Sequence, residues 1–308
     1  MPFPPRRIAS LSGNVQASIF MCLSMAAFAC NDMLTKLASQ AIEPMQIMAL
    51  RGVMASVLLI AIAKWRRVPL SLGILRERTV FLRALADICT TVCYISALRH
   101  LPLANASAIF QALPFAITIG AVLFLREVVG WRRWVAIGAG FVGVLVILNP
   151  GADGFGAPAL WVLASVVFAA ARDVITRQMP TSISSLEIAS ITCFAVMLTG
   201  FAFLPVVGWR PMTGALWLTL ACAAVFISLG YALIVSAVRI GDMSFVAPFR
   251  YTILIFSMIL GFLMFAERPT GNELMGSLIV VGSGLYTIHR ERRVARAARR
   301  AALLGAGE

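Results

Sequence analysis

Long apolar runs alternate with short polar breaks along the 308 residues of the chain. The runs lie at about 14–38, 44–64, 79–98, 103–126, 130–149, 157–177, 184–206, 214–236, 243–266 and 271–289. Each is about 20 residues long, the length at which an α-helix crosses the hydrocarbon core of a bilayer. In lipid every backbone polar group must be satisfied within the segment, so each run predicts a helix. The pattern therefore predicts an all-α integral membrane protein of ten transmembrane helices. Most breaks are short, and none has room for a separate soluble domain.

Composition agrees. The chain is 60% hydrophobic and 13% charged, with a mean hydropathy of +0.91, whereas a soluble domain is about one quarter charged. The net charge of +13 would suit nucleic acid if it formed a patch. It does not. With the N-terminus placed in the cytoplasm, 18 of the 26 Lys and Arg residues fall in inside tails and loops, among them Arg6, Arg7, Lys64, Arg66, Arg67, Arg132 and Arg133. Only Lys36, Arg99, Arg210 and Arg268 fall at outside ends. This bias places both termini in the cytoplasm, with lipid and not nucleic acid as the macromolecular environment. The stretch "HRERRVARAARRAA" from His289 reads as a basic anchor on anionic headgroups.

Catalytic chemistry has no foothold. Cys22, Cys30, Cys89, Cys93, Cys193 and Cys222 all lie within spans. Cys89 and Cys93 share a helix face at a spacing that suits neither a disulfide nor, without histidine partners, a zinc site. His100 and His289 stand at span ends, and no nucleophile motif or phosphate loop is present. No enzyme, metal site or cofactor is expected. Gly138, Gly140 and Gly143 have the spacing of a dinucleotide fingerprint, but that motif needs a preceding strand. Within a span, small residues bring helix backbones together.

The chain repeats itself. "ALRHLPLA" (97–104) aligns with "AVRIGDMS" (237–244), and "LFLRE" (123–127) with "LMFAE" (263–267), both at an offset of 140. "NDMLTK" (31–36) aligns with "RDVITR" (172–177), and "MQI" (45–47) with "LEI" (186–188), both at 141. Five spans are thus duplicated. Because five is odd, the second copy enters the membrane from the opposite face, which makes two inverted five-helix repeats. Inverted repeats characterise secondary transporters whose substrate site lies near the midplane between the halves. The expected segments are a cytoplasmic tail (1–13), a first repeat (14–149), a second repeat (156–289) and a basic cytoplasmic tail (290–308).

Polar groups within spans narrow the search. Each costs roughly 2.5–3.5 kcal/mol at a helix centre and usually faces a bundle interior or a water-filled path. Asn31, Asp32 and Lys36 lie in span 1, Arg51 in span 2, Arg83 and Asp87 in span 3, Asn105 and Gln111 in span 4, Arg172 and Asp173 in span 6, and Arg250 in span 9. Arg83 and Asp87, at i and i+4, can pair along one helix face as a structural unit. Asp32–Lys36 and Asp173–Arg177 have the same spacing near span ends. Arg51 and Arg250 have no acid within reach on their own helices. They need a carboxylate from another span, a carbonyl, water or a substrate. Phe110, Phe115, Phe249 and Tyr251 stand on the equivalent spans 4 and 9, where their rings could hold a flat ligand whose edge Gln111 and Asn105 would hydrogen-bond. Pro114 and Pro248 break the backbone bonding of the same two spans.

The ten spans, the inverted duplication and the run "FLRE…GWRRWVAIGAGFVGVLVIL" resemble the EamA-type drug/metabolite transporters over nearly the whole chain. "CNDMLTKLAS", "MQIMALRG", "ARDVITRQM" and "APFRY" resemble a branch that includes bacterial riboflavin importers and S-adenosylmethionine uptake carriers. The resemblance implies a bacterial inner-membrane carrier working by alternating access, with a cavity between the halves lined by spans 1, 3, 4, 6, 8 and 9. Asp32, Asp173, Arg51 and Arg250 are then the positions expected to meet cargo. Riboflavin, flat and rich in hydrogen-bonding edges, suits the aromatic and amide set best. S-adenosylmethionine uptake and amino-acid or drug export are the transport alternatives, and a membrane scaffold or sensor is the alternative without transport. A homodimer is compatible with this reading.

Overall fold

The computed structural model describes residues 11–305 apart from 66, 68–71, 127–129, 149–155, 181–182 and 241–245. Residues 1–10 of the N-terminal tail and the side chains of the basic tail beyond His289 lie outside the described set. The described chain is helical, with no strand among its residues. In order it forms α1 (Leu11–Ser39), α2 (Pro44–Trp65), α3 (Arg78–Leu98), α4 (Leu103–Phe110), α5 (Leu113–Leu125), α6 (Trp131–Leu148), α7 (Ala157–Arg177), α8 (Ser185–Val207), α9 (Gly214–Ile240), α10 (Thr252–Phe265) and α11 (Gly271–Gly305). Short 3₁₀ helices occupy Leu72–Arg76 and Ala247–Tyr251.

Among the described residues eight segments are long and apolar enough to cross a membrane, α4 and α5 counting together. The fifth and tenth expected spans are α6, whose apolar part covers 134–147, and the first half of α11. These two helices lie side by side. A Cβ on Gly143 would come within 2.9 Å of the Gly276 carbonyl oxygen, and one on Gly276 within 2.6 Å of the Gly143 carbonyl oxygen. The glycine spacing in span 5 is thus partly a close helix crossing. Beyond the membrane-length portion α11 runs unbroken through the basic tail to Gly305.

Spans 4 and 9 are broken, as their prolines require. Pro114 has no N–H for the carbonyl of Phe110, so α4 ends there and α5 begins at Leu113 after a tight turn at Gln111 and Ala112. Pro248 lies in the 3₁₀ helix that precedes α10. Both spans end alike. Arg126 and Ala266 adopt left-handed conformations at φ 53°, 140 residues apart, the offset of the repeat.

The packing obeys a twofold relation. α1 packs on α9 and α10; its equivalent, α7, packs on α3 and α5, the equivalents of those two. The pairs α2 with α8 and α6 with α11 each map onto themselves. Gly52 and Cys193, 141 residues apart, meet where α2 crosses α8, with the Cys193 thiol 3.8 Å from the Gly52 carbonyl oxygen. Equivalent residues can touch only near the axis that exchanges the repeats. The fold is two inverted five-helix repeats, as the odd span count requires.

Candidate functional site

The halves meet along α1, α3, α7 and α9, and the charged groups of the spans gather there. In α1 the Asp32 carboxylate accepts a hydrogen bond at 2.9 Å from the Tyr94 hydroxyl of α3 and another at 2.9 Å from its neighbour Asn31. Phe110 sets its ring edge-on to Tyr94, with centroids 5.1 Å apart. Arg51, from α2, donates to the Asn31 side-chain oxygen and to Thr35, both at 3.3 Å. In place of the carboxylate, carbonyl, water or substrate expected for Arg51, the structure gives it two neutral side-chain acceptors beside Asp32. Asp32 is held by neutral donors.

Arg83 and Asp87, expected to neutralise each other along α3, do not form that ion pair. The packing of α3 on α7 brings Arg172 of the second repeat onto Asp87. Arg172 donates to Asp87 at 2.7 Å and to Asp173 at 2.9 Å. Arg83 donates instead to Thr176 at 3.0 Å and Thr192 at 2.6 Å. An interhelical guanidinium placed between two carboxylates wins over a side chain four residues away on the same helix, because it compensates two charges at once. Lys36, likewise, does not turn to Asp32 but to Glu267 and the carbonyl of Leu101.

Arg250 stands apart. It is exposed, on the 3₁₀ helix before α10, and among the described residues it takes part in no hydrogen bond or ion pair. Asp173 and Tyr251 are its charged or titratable neighbours. Tyr231 of α9 is 57% exposed, yet it lies among Asp87, Arg172, Arg51 and Arg83, with its ring edge-on to Phe28 of α1 at 5.2 Å. Tyr231 thus joins an exposed side chain to a surround of four charged groups from both halves. The Asp87–Arg172 pair is about one-fifth exposed as well.

The remaining expected residues are dispersed. Phe249 packs in an apolar cluster with Met21, Met25 and Val246. Tyr251 is buried, its hydroxyl turned to the backbone of Gly284 on α11. Phe115 is a core residue on Gly140. Asn105 donates to Glu273 at 2.5 Å, toward the same end as Lys36. Gln111 sits at the break of span 4. The rings at the polar centre are Tyr94 and Tyr231, neither of them among the expected positions. Their signal was a hydroxyl-bearing ring inside an apolar run, since a buried Tyr usually finds a polar partner. Among the described residues no three His, Cys, Asp or Glu side chains converge as a metal site would require.

Comparison with known proteins completes the picture. A family model described as "EamA-like transporter family" matches residues 16–149 and again 157–288. The chain is 31% identical over 201 residues to a riboflavin transporter of Vibrio cholerae, covering 63% of this chain and 65% of that protein. It is 30% identical over 204 residues to a riboflavin transporter of Rhizobium johnstonii, covering 65% and 66%. These matches span slightly less than two thirds of either relative. An S-adenosylmethionine uptake transporter of Rickettsia felis is 25% identical over 276 residues, 88% of this chain and 92% of that one. A solved crystal structure superposes on 91% of the chain and 99% of its own with a TM-score of 0.65 and 17% identity, a likeness of fold.

Proposed function

We propose, from the premise that the chain belongs to the EamA-like transporter family, that it carries a small polar metabolite across the bacterial inner membrane by alternating access, with riboflavin the favoured cargo. Both termini lie in the cytoplasm on this reading. The observation that carries the proposal is Arg250. A guanidinium in a membrane span is costly unless something compensates it. Arg172 is compensated by Asp87 and Asp173, and Arg51 and Arg83 by side-chain oxygens. Arg250 is exposed and makes no hydrogen bond or ion pair among the described residues, so on this reading a transient ligand compensates it. Its planar set of five donors suits paired carbonyls or a carboxylate.

The charge of the space favours such a cargo. Arg51, Arg83, Arg172 and Arg250 face Asp32, Asp87 and Asp173, an excess of one positive charge when all are ionised. A flavin, neutral and rimmed with carbonyl acceptors, meets no repulsion there and can place its rings against Tyr231 and Tyr94. S-adenosylmethionine has a net positive charge and is disfavoured electrostatically. It remains the second reading because that relative matches over more of its length than the riboflavin transporters do. The test is competitive uptake in proteoliposomes. Labelled riboflavin should enter by a saturable route that unlabelled riboflavin blocks and S-adenosylmethionine does not. Saturable entry of S-adenosylmethionine without riboflavin would reverse the choice. Entry of neither would refute both cargoes.

A further inference from the structure

The charged side chains at the two ends of the seam between the halves are not equally exposed. At one end Arg250 is exposed and Asp173 has a side chain 36% exposed. At the other end Lys36 of α1 is 7% exposed and Glu267, just beyond α10, 16%. Lys36 donates to Glu267 and to the carbonyl of Leu101. The second oxygen of Glu267 accepts the backbone N–H of Leu103 at 2.8 Å. Lys36 also lies over the ring of Phe265 at 5.0 Å. Nearby, Asn105 of α4 reaches Glu273 at the start of α11. One carboxylate thus ties three parts of the chain: α1, the segment that opens α4, and the turn between α10 and α11.

We infer that Lys36 and Glu267 form the outer gate of the carrier, and that Gly261 is the residue that lets the gate close. The two gate residues come from different repeats, which must separate at this end when the site opens outward. A buried ion pair contributes little net stability against its desolvation, so it can be broken and remade at modest cost in a conformational cycle. Gly261 sits one turn before the end of α10, and the Glu267 N–H donates to its carbonyl at 3.1 Å. A Cβ at Gly261 would stand 2.6 Å from Oε2 of Glu267. That oxygen is the far end of a flexible side chain. Gly261→Ala is therefore tolerable to the fold yet displaces the carboxylate from Leu103 and Lys36 without changing any charge.

The inference rests on the carrier reading, but its test needs no cargo. In a background with the six native cysteines replaced, two reporter cysteines are introduced singly. Ser107→Cys lies one turn inside Leu103, beneath the gate, and Tyr231→Cys lies in the space beyond it. Each is labelled with a membrane-impermeant maleimide, Ser107→Cys from the face opposite the C-terminal tail and Tyr231→Cys from the tail side. Gly261→Ala and Glu267→Gln should each raise labelling of Ser107→Cys roughly tenfold and lower that of Tyr231→Cys, the signature of a two-state population shift. The charge exchange Lys36→Glu with Glu267→Lys should return both rates toward those of the parent. Unchanged labelling under Gly261→Ala and Glu267→Gln would overturn the inference, because the end would then stay closed without the ion pair. A rise at both reporters would overturn it too, since that is general loosening and not gating.

Discussion

Alanine at Asp87 removes the carboxylate that Arg172 holds at 2.7 Å, and its cost depends on which arginine that carboxylate compensates. At an effective dielectric near 20, two unit charges about 4 Å apart attract by roughly 4 kcal/mol. Desolvation of both partners offsets much of this, and a pair about one-fifth exposed is partly screened by water. A net coupling of about 2 kcal/mol remains, within the range measured for close charge pairs. Arg172 keeps Asp173, so the single variant does not strand a bare guanidinium. Arg83 keeps both threonines, and its coupling to Asp87 should be at most about 0.5 kcal/mol, the size of an ordinary i, i+4 pair on a helix. Two double-mutant cycles decide the matter, one on Asp87 and Arg172, the other on Asp87 and Arg83. Unfolding free energies come from SDS titration of the purified protein in lipid micelles. A larger coupling in the Arg83 cycle than in the Arg172 cycle would refute the network and restore the pair along α3.

Arg250→Lys should accumulate in the membrane at normal levels but lose roughly tenfold or more of its uptake per molecule, because an ammonium lacks the planar fork; near-normal uptake would show that positive charge alone is needed. Gly200→Ala should lower the yield of folded protein, since its Cβ would come within 2.7 Å of the Met45 carbonyl oxygen and 2.9 Å of the Ala49 Cα, backbone atoms that cannot swing aside, at a cost of about 1–3 kcal/mol. Gly138→Ala, with nothing within 4 Å, is the matched control and should leave the yield unchanged. Reporter fusions after Gly151 and after Arg290 should read outside and inside respectively; the same side for both would contradict the inverted repeat.

The fold was legible because its two controlling constraints are periodic. Run length marks a span, and the offset of 140 or 141 marks a repeat, even where single matches are weak. Hence the breaks at Pro114 and Pro248 and the inverted halves all follow from the sequence. The charged residues were legible as polar positions within spans but not as pairs. Spacing along a helix identifies neighbours on one element, such as Arg83 and Asp87 or Asp32 and Lys36. It is silent about a side chain arriving from another helix, and in each case the interhelical partner won: Arg172 for Asp87, Tyr94 for Asp32, Glu267 for Lys36. The aromatic residues were misplaced for a related reason. Successive residues of a 3₁₀ helix point about 120° apart, so Phe249, Arg250 and Tyr251 cannot share a face, and Tyr251 goes to Gly284 while Arg250 stays exposed.

What distinguishes the two halves is chemistry, not packing. α1 carries Asn31, Asp32 and Thr35 where α7 carries Arg172, Asp173 and Thr176. The threonines behave alike, each accepting from an arginine, Arg51 in one case and Arg83 in the other. The aspartates do not. Asp32 is held by an amide and a phenol, whereas Asp173 is bound by Arg172, which also takes Asp87. The difference traces to one position, asparagine in the first repeat and arginine in the second. By engaging two of the three aspartates, Arg172 leaves Arg250 near Asp173 but not bound to it. Alternating access needs two arrangements of similar energy, and a twofold-related frame of this kind is what would allow them. The departure from symmetry at Asn31 and Arg172 leaves Arg250 without a hydrogen bond or ion pair among the described residues, which is where the proposed cargo would bind.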